Sequence, residues 1–163
     1  MSRDDKEGGR GDWVGLVGFS QGAKVVASLL LREQMLTVAG ERGQRWKFAV
    51  LMAGRGPLIQ MTKGGSVLGL AGANQPRCVA DEGFIDEWRR RRGLLLSLPT
   101  LHVHGLGDEG LQEHRRLMEE WCDERSTRMV EWMGGHRIPI KKHDVTTVVE
   151  QVLELAHEAR VLR

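Results

Sequence analysis

The chain has 163 residues, a length typical of one domain, and 40% of them are hydrophobic, which argues against a disordered protein. A net charge of +2 gives no basis for binding nucleic acid or a membrane surface, and no apolar run reaches the roughly 18 residues of a membrane span. Residues 1–11 are charged and glycine-rich, so we expect a flexible lead, no signal peptide and a cytoplasmic protein. Two cysteines, Cys78 and Cys122, predict reduced thiols rather than a disulfide framework.

Strands and helices alternate along the predicted chain. Short apolar runs predict strands that are buried on both faces, and apolar residues at helical spacing predict helices. In chain order the prediction is strand 13–19, helix 21–34, strand 46–53, strand 99–104, helix 111–122, strand 127–132 and helix 144–160. Such alternation is typical of a parallel, doubly wound α/β sheet with right-handed crossovers.

Residues 58–98 do not follow this alternation. The segment is rich in glycine and predicts a mobile loop with one or two short helices, which we interpret as a lid or cap-like insertion in a domain that spans residues 12–163. It ends in a run of four arginines, Arg89 to Arg92, after an amphipathic stretch. A solvated helix end explains this run better than a phosphate site, because cations favour the C-terminal end of a helix dipole.

The strongest local motif is Gly18-Phe19-Ser20-Gln21-Gly22, a G-x-S-x-G sequence between a predicted buried strand and a predicted helix. That context is typical of a nucleophile elbow, in which a tight turn exposes the serine hydroxyl and the flanking residues must lack bulk. The backbone N–H of Gln21 would then face a developing oxyanion. The plainer interpretation is that Ser20 caps the helix and the glycines are incidental.

A nucleophilic serine needs a base, and the base needs an acid that orients it. Asp108 follows the third predicted strand and His136 follows the fourth, so the chain order is serine, acid, histidine, as in α/β-hydrolases. The carboxyl ends of parallel strands are where open α/β sheets place their sites. The sequence therefore predicts a catalytic triad of Ser20, Asp108 and His136.

The remaining histidines carry weaker signals. His102 and His104 share a strand face and could support a metal, but no third ligand at tight spacing accompanies them apart from Asp108, which is already assigned to the triad, so we predict neither a metal site nor a cofactor. Three others are interpreted as surface residues of helices: His114, His143 and His157. Cys122 ends a helix without a partner pattern and is interpreted as structural.

With these residues in hand, the chain resembles the FSH-type family of serine hydrolases within the α/β-hydrolases, and most closely its fungal polyketide-releasing thioesterases of the lovastatin pathway kind. The resemblance rests on GLVGFSQGAKVVASLL at 15–30, AVLMAGRGPL at 49–58, LPTLHVHGLGD at 98–108 and VEWMGGHRIPIKKHDV at 130–145. It implies Ser20 as nucleophile, Asp108 as acid and His136 as base. In close relatives the residue before this histidine is often aspartate, whereas here it is Gly135.

The resemblance also implies that the family begins with strands carrying a His-Gly segment, whose backbone supplies a second oxyanion donor; this chain has no such segment. We therefore expect the C-terminal part of the α/β-hydrolase fold, a half-sheet of about four parallel strands with flanking helices. The strand from Trp13 to Phe19 would lie at its outer edge, where unpaired backbone groups favour association. We expect this edge to pair with a second copy, to be covered by residues 1–11, or to cause aggregation.

The expected function is cleavage of an ester or thioester through an acyl-enzyme, with a small-molecule ester or an acyl thioester, such as one on an acyl-carrier protein, as substrate. One alternative is a weakly active or non-catalytic binding or assembly subunit, since loss of one oxyanion donor costs about 10² to 10³ in rate. The other is acyl transfer or cyclisation by the same triad. Neither nucleic acid nor a membrane is an expected partner.

Overall fold

The computed structural model describes residues 12–38, 40, 45–56, 58 and 95–162. They form four strands and three α-helices in the order β1 (Gly15–Phe19), α1 (Gln21–Val38), β2 (Phe48–Met52), β3 (Thr100–Gly105), α2 (Leu111–Trp121), a short 3₁₀ turn (Glu124–Ser126), β4 (Thr127–Trp132) and α3 (Lys142–Glu158). All four strands are parallel and lie in one sheet in the order β1-β2-β3-β4. The predicted α/β sheet of four parallel strands with flanking helices is confirmed.

The helices cover both faces of this sheet, because side chains of successive strand residues point to opposite faces. Along β2, Ala49 and Leu51 pack with α1 and α2, whereas Val50 packs with α3. The first face is closed by small and aliphatic side chains of α1 and by Leu117 of α2. Because helices bury both faces of the sheet, β2 is a continuous apolar run rather than an alternating one.

Four helix boundaries differ from the prediction: α2 ends one residue early at Trp121, α3 ends two residues early at Glu158, and the other two are the end of α1 and the start of α3. Helix α1 extends four residues beyond the predicted end at residue 34, and it stops at Gly40, which has φ of +72° and whose N–H donates to Thr37 O at 3.0 Å. A left-handed glycine after the last turn is a common helix stop. Helix α3 begins at Lys142, two residues before the predicted start.

Several predictions fall outside the described residues. These are the flexible lead at 1–11, Cys78, the helical piece at 82–92, and nearly all of the predicted lid at 58–98. They stay predictions. Among the residues that are described, no helix combines the length and the apolar character that crossing a bilayer requires.

Strand β1 lies at one edge of the sheet. Within the described ranges it pairs only with β2, from Gly15 opposite Phe48 to Phe19 opposite Met52. Near this edge Trp13 is 58% exposed and Val17 is 66% exposed. The described part of the chain therefore leaves one side of the strand that precedes Ser20 without a neighbouring strand.

Candidate active site

Ser20 sits in the turn that joins β1 to α1. Its φ of 55° lies in the left-handed region, which a residue with a side chain adopts only when its surroundings hold it there. Its N–H donates to Met52 O of the neighbouring strand at 2.8 Å, and its carbonyl accepts from Ala23 N at 3.1 Å. The turn is thus fixed on both sides, and the hydroxyl is placed at the carboxyl edge of the sheet.

The two glycines of the motif have different structural reasons. A Cβ at Gly18 would lie 2.5 Å from Gly22 O and 2.7 Å from Ala23 Cα, so the strand and the helix can approach this closely only if residue 18 is glycine. A Cβ at Gly22 would meet nothing within 4 Å. The expectation that both flanking residues must lack bulk is therefore wrong for Gly22, which is exposed on the first turn of α1.

Gln21 is the first residue of α1. The amides of a first helical turn have no acceptor within the helix, and they carry the positive end of the helix dipole. The N–H of Gln21 therefore stands next to the Ser20 hydroxyl with the polarity that an oxyanion requires.

Asp108 follows β3 in a tight turn, in which its N–H donates to Gly105 O at 3.1 Å. Its side chain is almost fully buried, with 1% of its area exposed. One carboxylate oxygen, Oδ1, accepts from Gly110 N–H at 2.9 Å, and the Arg55 guanidinium lies 3.9 Å from the same oxygen.

The loop after β4 carries His136 and packs backbone to backbone on the turn of Asp108. Gly107 N–H donates to Gly134 O at 2.9 Å, and a Cβ at Gly105 would lie 2.4 Å from that same carbonyl oxygen. A larger residue at position 105 would push the two loops apart. This close approach places the imidazole of His136 over the carboxylate of Asp108.

The structure brings the three predicted site residues into one chain of hydrogen bonds. His136 Nε2 lies 2.9 Å from Ser20 Oγ, and His136 Nδ1 lies 2.7 Å from Asp108 Oδ2. A carboxylate only accepts, so the ring carries its proton on Nδ1 and leaves Nε2 free to accept from the serine hydroxyl. The His136 side chain is 38% exposed, and its ring centroid lies 5.2 Å from that of Phe19.

The ionisation of Asp108 reflects this network. Burial alone raises the pKa of Asp108, but the hydrogen bonds that it accepts from His114, Gly110 N–H and His136 outweigh burial and lower the pKa from 3.8 to about 2. Asp108 is therefore a carboxylate over the whole neutral range.

His114 is the site residue that the sequence analysis missed. The prediction of a surface residue on a helix is wrong, because His114 is fully buried. Its Nε2 lies 2.9 Å from Asp108 Oδ2 and its Nδ1 lies 2.9 Å from Gly54 O. The signal was present in the helical spacing, since His114 shares the inward face of α2 with Leu117 and Trp121.

The other histidines separate into two groups. His143 and His157 are exposed on α3, as predicted. His102 and His104 are buried on β3, where burial, with a smaller effect of neighbouring histidines, lowers the pKa of His102 to about 3 and of His104 to about 4. The Cys122 thiol lies 3.5 Å from His102 Nε2, and burial raises its pKa to about 12, so it stays a protonated, buried thiol.

Three side chains could also be considered as metal ligands, since Asp108, His114 and His136 each place one suitable atom within 4.8 Å of the others. These atoms already face one another as hydrogen-bond donors and acceptor. The geometry is that of a hydrogen-bond network around one carboxylate, and we assign no metal centre to it.

The two motif glycines give a matched pair of variants. We expect Gly18→Ala to lower the free energy of unfolding by about 1–3 kcal/mol or more, because the clash is with backbone atoms that cannot rotate away. Gly22→Ala should leave it unchanged or raise it by up to about 1 kcal/mol through helix propensity. Urea unfolding of both variants measures this, and equal losses would contradict the geometry of the turn.

The network around Asp108 predicts a pH-dependent stability. A carboxyl group whose pKa is lowered on folding stabilises the chain above its unfolded pKa of 3.8, and this contribution is lost as the pH falls through about 2. Near neutral pH the wild type should exceed Asp108→Asn by about 2 kcal/mol in free energy of unfolding.

The difference between the two proteins should shrink below about pH 4 and vanish near pH 2, the pKa of folded Asp108. Urea titrations across this range test the expectation, with Asp12→Asn at an exposed position as control. A difference that does not change with pH would mean that the ionised form of Asp108 is not the stabilising one.

Comparison with known proteins gives the family. The model of the serine hydrolase (FSH1) family matches residues 5–148. The esterase pigG of Monascus ruber is 45% identical over 170 residues, which cover 100% of this chain and 62% of that protein. The esterase dbaE of Emericella nidulans is 45% identical over 172 residues, covering 99% of this chain and 61% of the relative. The chain thus spans about three fifths of the length of these curated relatives.

Among solved structures, one from a study of two fungal esterases of Rhizomucor miehei superposes with a TM-score of 0.55 at 14% identity. The match covers 88% of this chain and 51% of that one. At this identity the likeness concerns the fold alone, which is the α/β-hydrolase fold. The family model matches most of the chain, from residue 5 to residue 148, so the chain belongs to the FSH1 family of serine hydrolases.

Proposed function

We propose that this protein hydrolyses a carboxylic ester through an acyl-enzyme, with Ser20 as nucleophile, His136 as general base and Asp108 as the acid that orients the base. The observation that carries the proposal is the unbroken chain of hydrogen bonds from Ser20 Oγ through both ring nitrogens of His136 to Asp108 Oδ2. Its membership of a serine hydrolase family supports the same reaction.

In the first half-reaction Ser20 Oγ attacks the acyl carbonyl carbon while His136 Nε2 takes the hydroxyl proton. The tetrahedral intermediate then breaks the bond to the leaving alcohol, which receives that proton from His136. Asp108 keeps the imidazole in the tautomer with a proton on Nδ1 and stabilises the imidazolium during the step. The ester has become an acyl-serine and a free alcohol.

In the second half-reaction a water molecule replaces the alcohol. His136 Nε2 removes one proton from the water as its oxygen attacks the acyl-serine, and returns that proton to Ser20 Oγ when the ester bond breaks. The 38% exposure of the His136 side chain supports this role, because water can reach the ring. In both half-reactions the N–H of Gln21, in the first turn of α1, would donate to the oxyanion.

We propose two classes of substrate, oxygen esters and acyl thioesters. The curated relatives are named esterases, which favours oxygen esters of small molecules. The resemblance of the motif segments to polyketide-releasing thioesterases extends the proposal to acyl thioesters, including those held by an acyl-carrier protein. The same triad serves both, since only the leaving group differs. Hydrolysis of a matched ester and thioester pair with one acyl group would rank the two, and the products would reveal any acyl transfer or cyclisation.

Removal of triad members tests the mechanism. We expect Ser20→Ala and His136→Ala each to lower kcat for a short p-nitrophenyl ester by about 10⁴-fold or more, because triad members act as a unit. His143→Ala, at an exposed position of α3, is the matched histidine control and should keep wild-type activity. Undiminished hydrolysis by Ser20→Ala would remove the serine mechanism.

A fluorophosphonate probe separates catalysis from a purely binding role. The probe should label the wild type at Ser20 and leave Ser20→Ala unlabelled, because labelling needs an activated hydroxyl. A folded wild-type chain that takes no label would instead support a binding or assembly subunit of the hydrolase fold.

The exposed edge of β1 supports a proposed partner, a second copy of the chain. Val14 O and Ser20 N bond to β2, so the alternate residues, among them Val17, direct their backbone groups to the open side. We expect Val17→Lys to reduce self-association in light scattering, because a charge on an edge strand opposes pairing. Val38→Lys, at another exposed valine, should have no effect. A wild-type monomer with a freely exchanging Val17 amide would contradict edge pairing.

A further inference from the structure

A second histidine shares the carboxylate of the site. His114 Nε2 and His136 Nδ1 lie 2.9 and 2.7 Å from the same oxygen, Asp108 Oδ2, and the two rings stack with centroids 5.9 Å apart. The triad mechanism uses His136 alone, and His114 has no place in it. Its full burial and its two short contacts nevertheless fix the ring from both sides.

The two partners of His114 both accept hydrogen bonds. On one side Nδ1 faces Gly54 O at 2.9 Å, and a backbone carbonyl cannot donate. On the other side Nε2 faces Asp108 Oδ2 at 2.9 Å. A neutral imidazole has a single N–H, so this fully buried ring would present a lone pair to one of these oxygens at contact distance. Only a ring with protons on both nitrogens satisfies both contacts.

We propose that His114 is a buried imidazolium that forms an ion pair with Asp108 and acts as a positioning residue for the triad. It donates from Nδ1 to Gly54 O and from Nε2 to Asp108 Oδ2, and so ties the carboxylate to the end of β2. The low pKa of Asp108, for which the His114 hydrogen bond is the largest stabilising contact, agrees with a carboxylate as its partner.

The charges that face His114 decide where its extra proton is stable. His114 is the fourth residue of α2, so it lies near the positive N-terminal end of the helix dipole, which disfavours a cation there. From β3 comes His104, which burial keeps neutral, with a pKa of about 4, and whose ring nitrogens have no partner among the described residues. The other two groups near this carboxylate are basic side chains and bring no negative charge. They are Arg55, which follows β2, and His136, which follows β4. The negative charge next to the ring is Asp108, so the imidazolium depends on it.

This arrangement has two consequences for the proposed hydrolysis. Asp108 cannot rotate, because Oδ2 accepts from both histidines and Oδ1 accepts from Gly110 N–H. The positive charge of His114 also opposes the imidazolium that forms on His136 during the reaction. In this proposal His114 gives up some stabilisation of the charged base and in return holds the carboxylate in a fixed position.

The protonation of the ring is directly measurable. In a long-range ¹H–¹⁵N correlation spectrum of the full chain near neutral pH, we expect one of the six histidines to show both ring nitrogens protonated. The loss of that signal in His114→Gln assigns it, with His143→Gln as the control that removes a different signal. A single protonated nitrogen on His114 in the wild type overturns the proposal, whatever the activity of the chain.

Asp108→Asn gives a second, independent spectrum. The asparagine removes the charge and can present an amide N–H to Nε2, so His114 should lose one ring proton and keep the proton that bonds to Gly54 O. If His114 remains doubly protonated in the folded variant, Asp108 is not the charge that holds the imidazolium, and the ion pair is wrong.

Kinetic measurements on His114→Gln give a third test, which rests on the proposed function. His114→Gln keeps a side-chain donor and removes the charge, so we expect kcat to fall by about 10–100-fold while KM changes little. The acid limb of the kcat/KM profile should move to higher pH, because the proposed cation beside His136 is gone. His143→Gln should leave both parameters unchanged. An unaltered acid limb in folded His114→Gln overturns the positioning role, since a merely structural loss would not move that limb.

The two proposals fail separately. If the wild type neither hydrolyses esters nor takes the fluorophosphonate, the proposed hydrolysis fails while the spectra still decide the protonation of His114. If the wild type is active and His114 carries one ring proton, the hydrolysis stands and the ion pair falls.

Discussion

The carboxylate of Asp108 is the constraint around which the described part of the chain is arranged. A buried negative charge is very costly unless donors surround it, and here the donors come from separate segments. Gly110 N–H comes from the turn before α2, His114 from α2 itself and His136 from the loop after β4. Each of these segments satisfies part of this charge, so the geometry of the candidate site and the stability of this end of the sheet have one origin.

Close backbone contacts make that arrangement possible. The loop of His136 reaches Asp108 because Gly105 has no side chain to hold Gly134 away, and the turn of Ser20 reaches the same edge because Gly18 lies against the backbone of α1. Parallel strands end at one edge, but neighbouring strands are about 5 Å apart, and β1, which precedes Ser20, is a neighbour of neither β3 nor β4. Contacts between Ser20, His136 and Asp108 of 2.7–2.9 Å need loops that fold back over the edge, and the glycines allow this.

The sequence predicts most of the sheet and the three residues that meet at its edge, Ser20, Asp108 and His136, because both depend on local patterns. Each strand is a short apolar run with both faces buried, and each proposed catalytic residue directly follows such a run, so position along the chain gives position in space. The end of α1 at Val38 was harder to predict, since the residues after 34 fit either a helix or a loop until Gly40 stops them.

His114 was missed because its burial comes from a distant part of the chain. Its neighbours along α2 are mostly polar, in the sequence LQEHRRLMEEW, so the local sequence predicts that the histidine is exposed like them. What buries it is the end of β2, where Gly54 offers a carbonyl sixty residues away. The spacing to Leu117 and Trp121 marks the inward face of the helix, but only the fold brings Asp108 and Gly54 to that face.

Four histidines form a row from the interior to the surface, with ring centroids 5.8, 5.8 and 5.9 Å apart from His102 through His104 and His114 to His136. Burial favours the neutral form in the first two, with a smaller lowering from His104 at His102 and from His114 at His104, so their pKa values fall to about 3 and about 4. One carboxylate can balance one imidazolium at rest. With His114 in that place, as proposed, His136 keeps Nδ1 toward Asp108 and Nε2 toward Ser20 Oγ, which is the arrangement that the proposed general base needs.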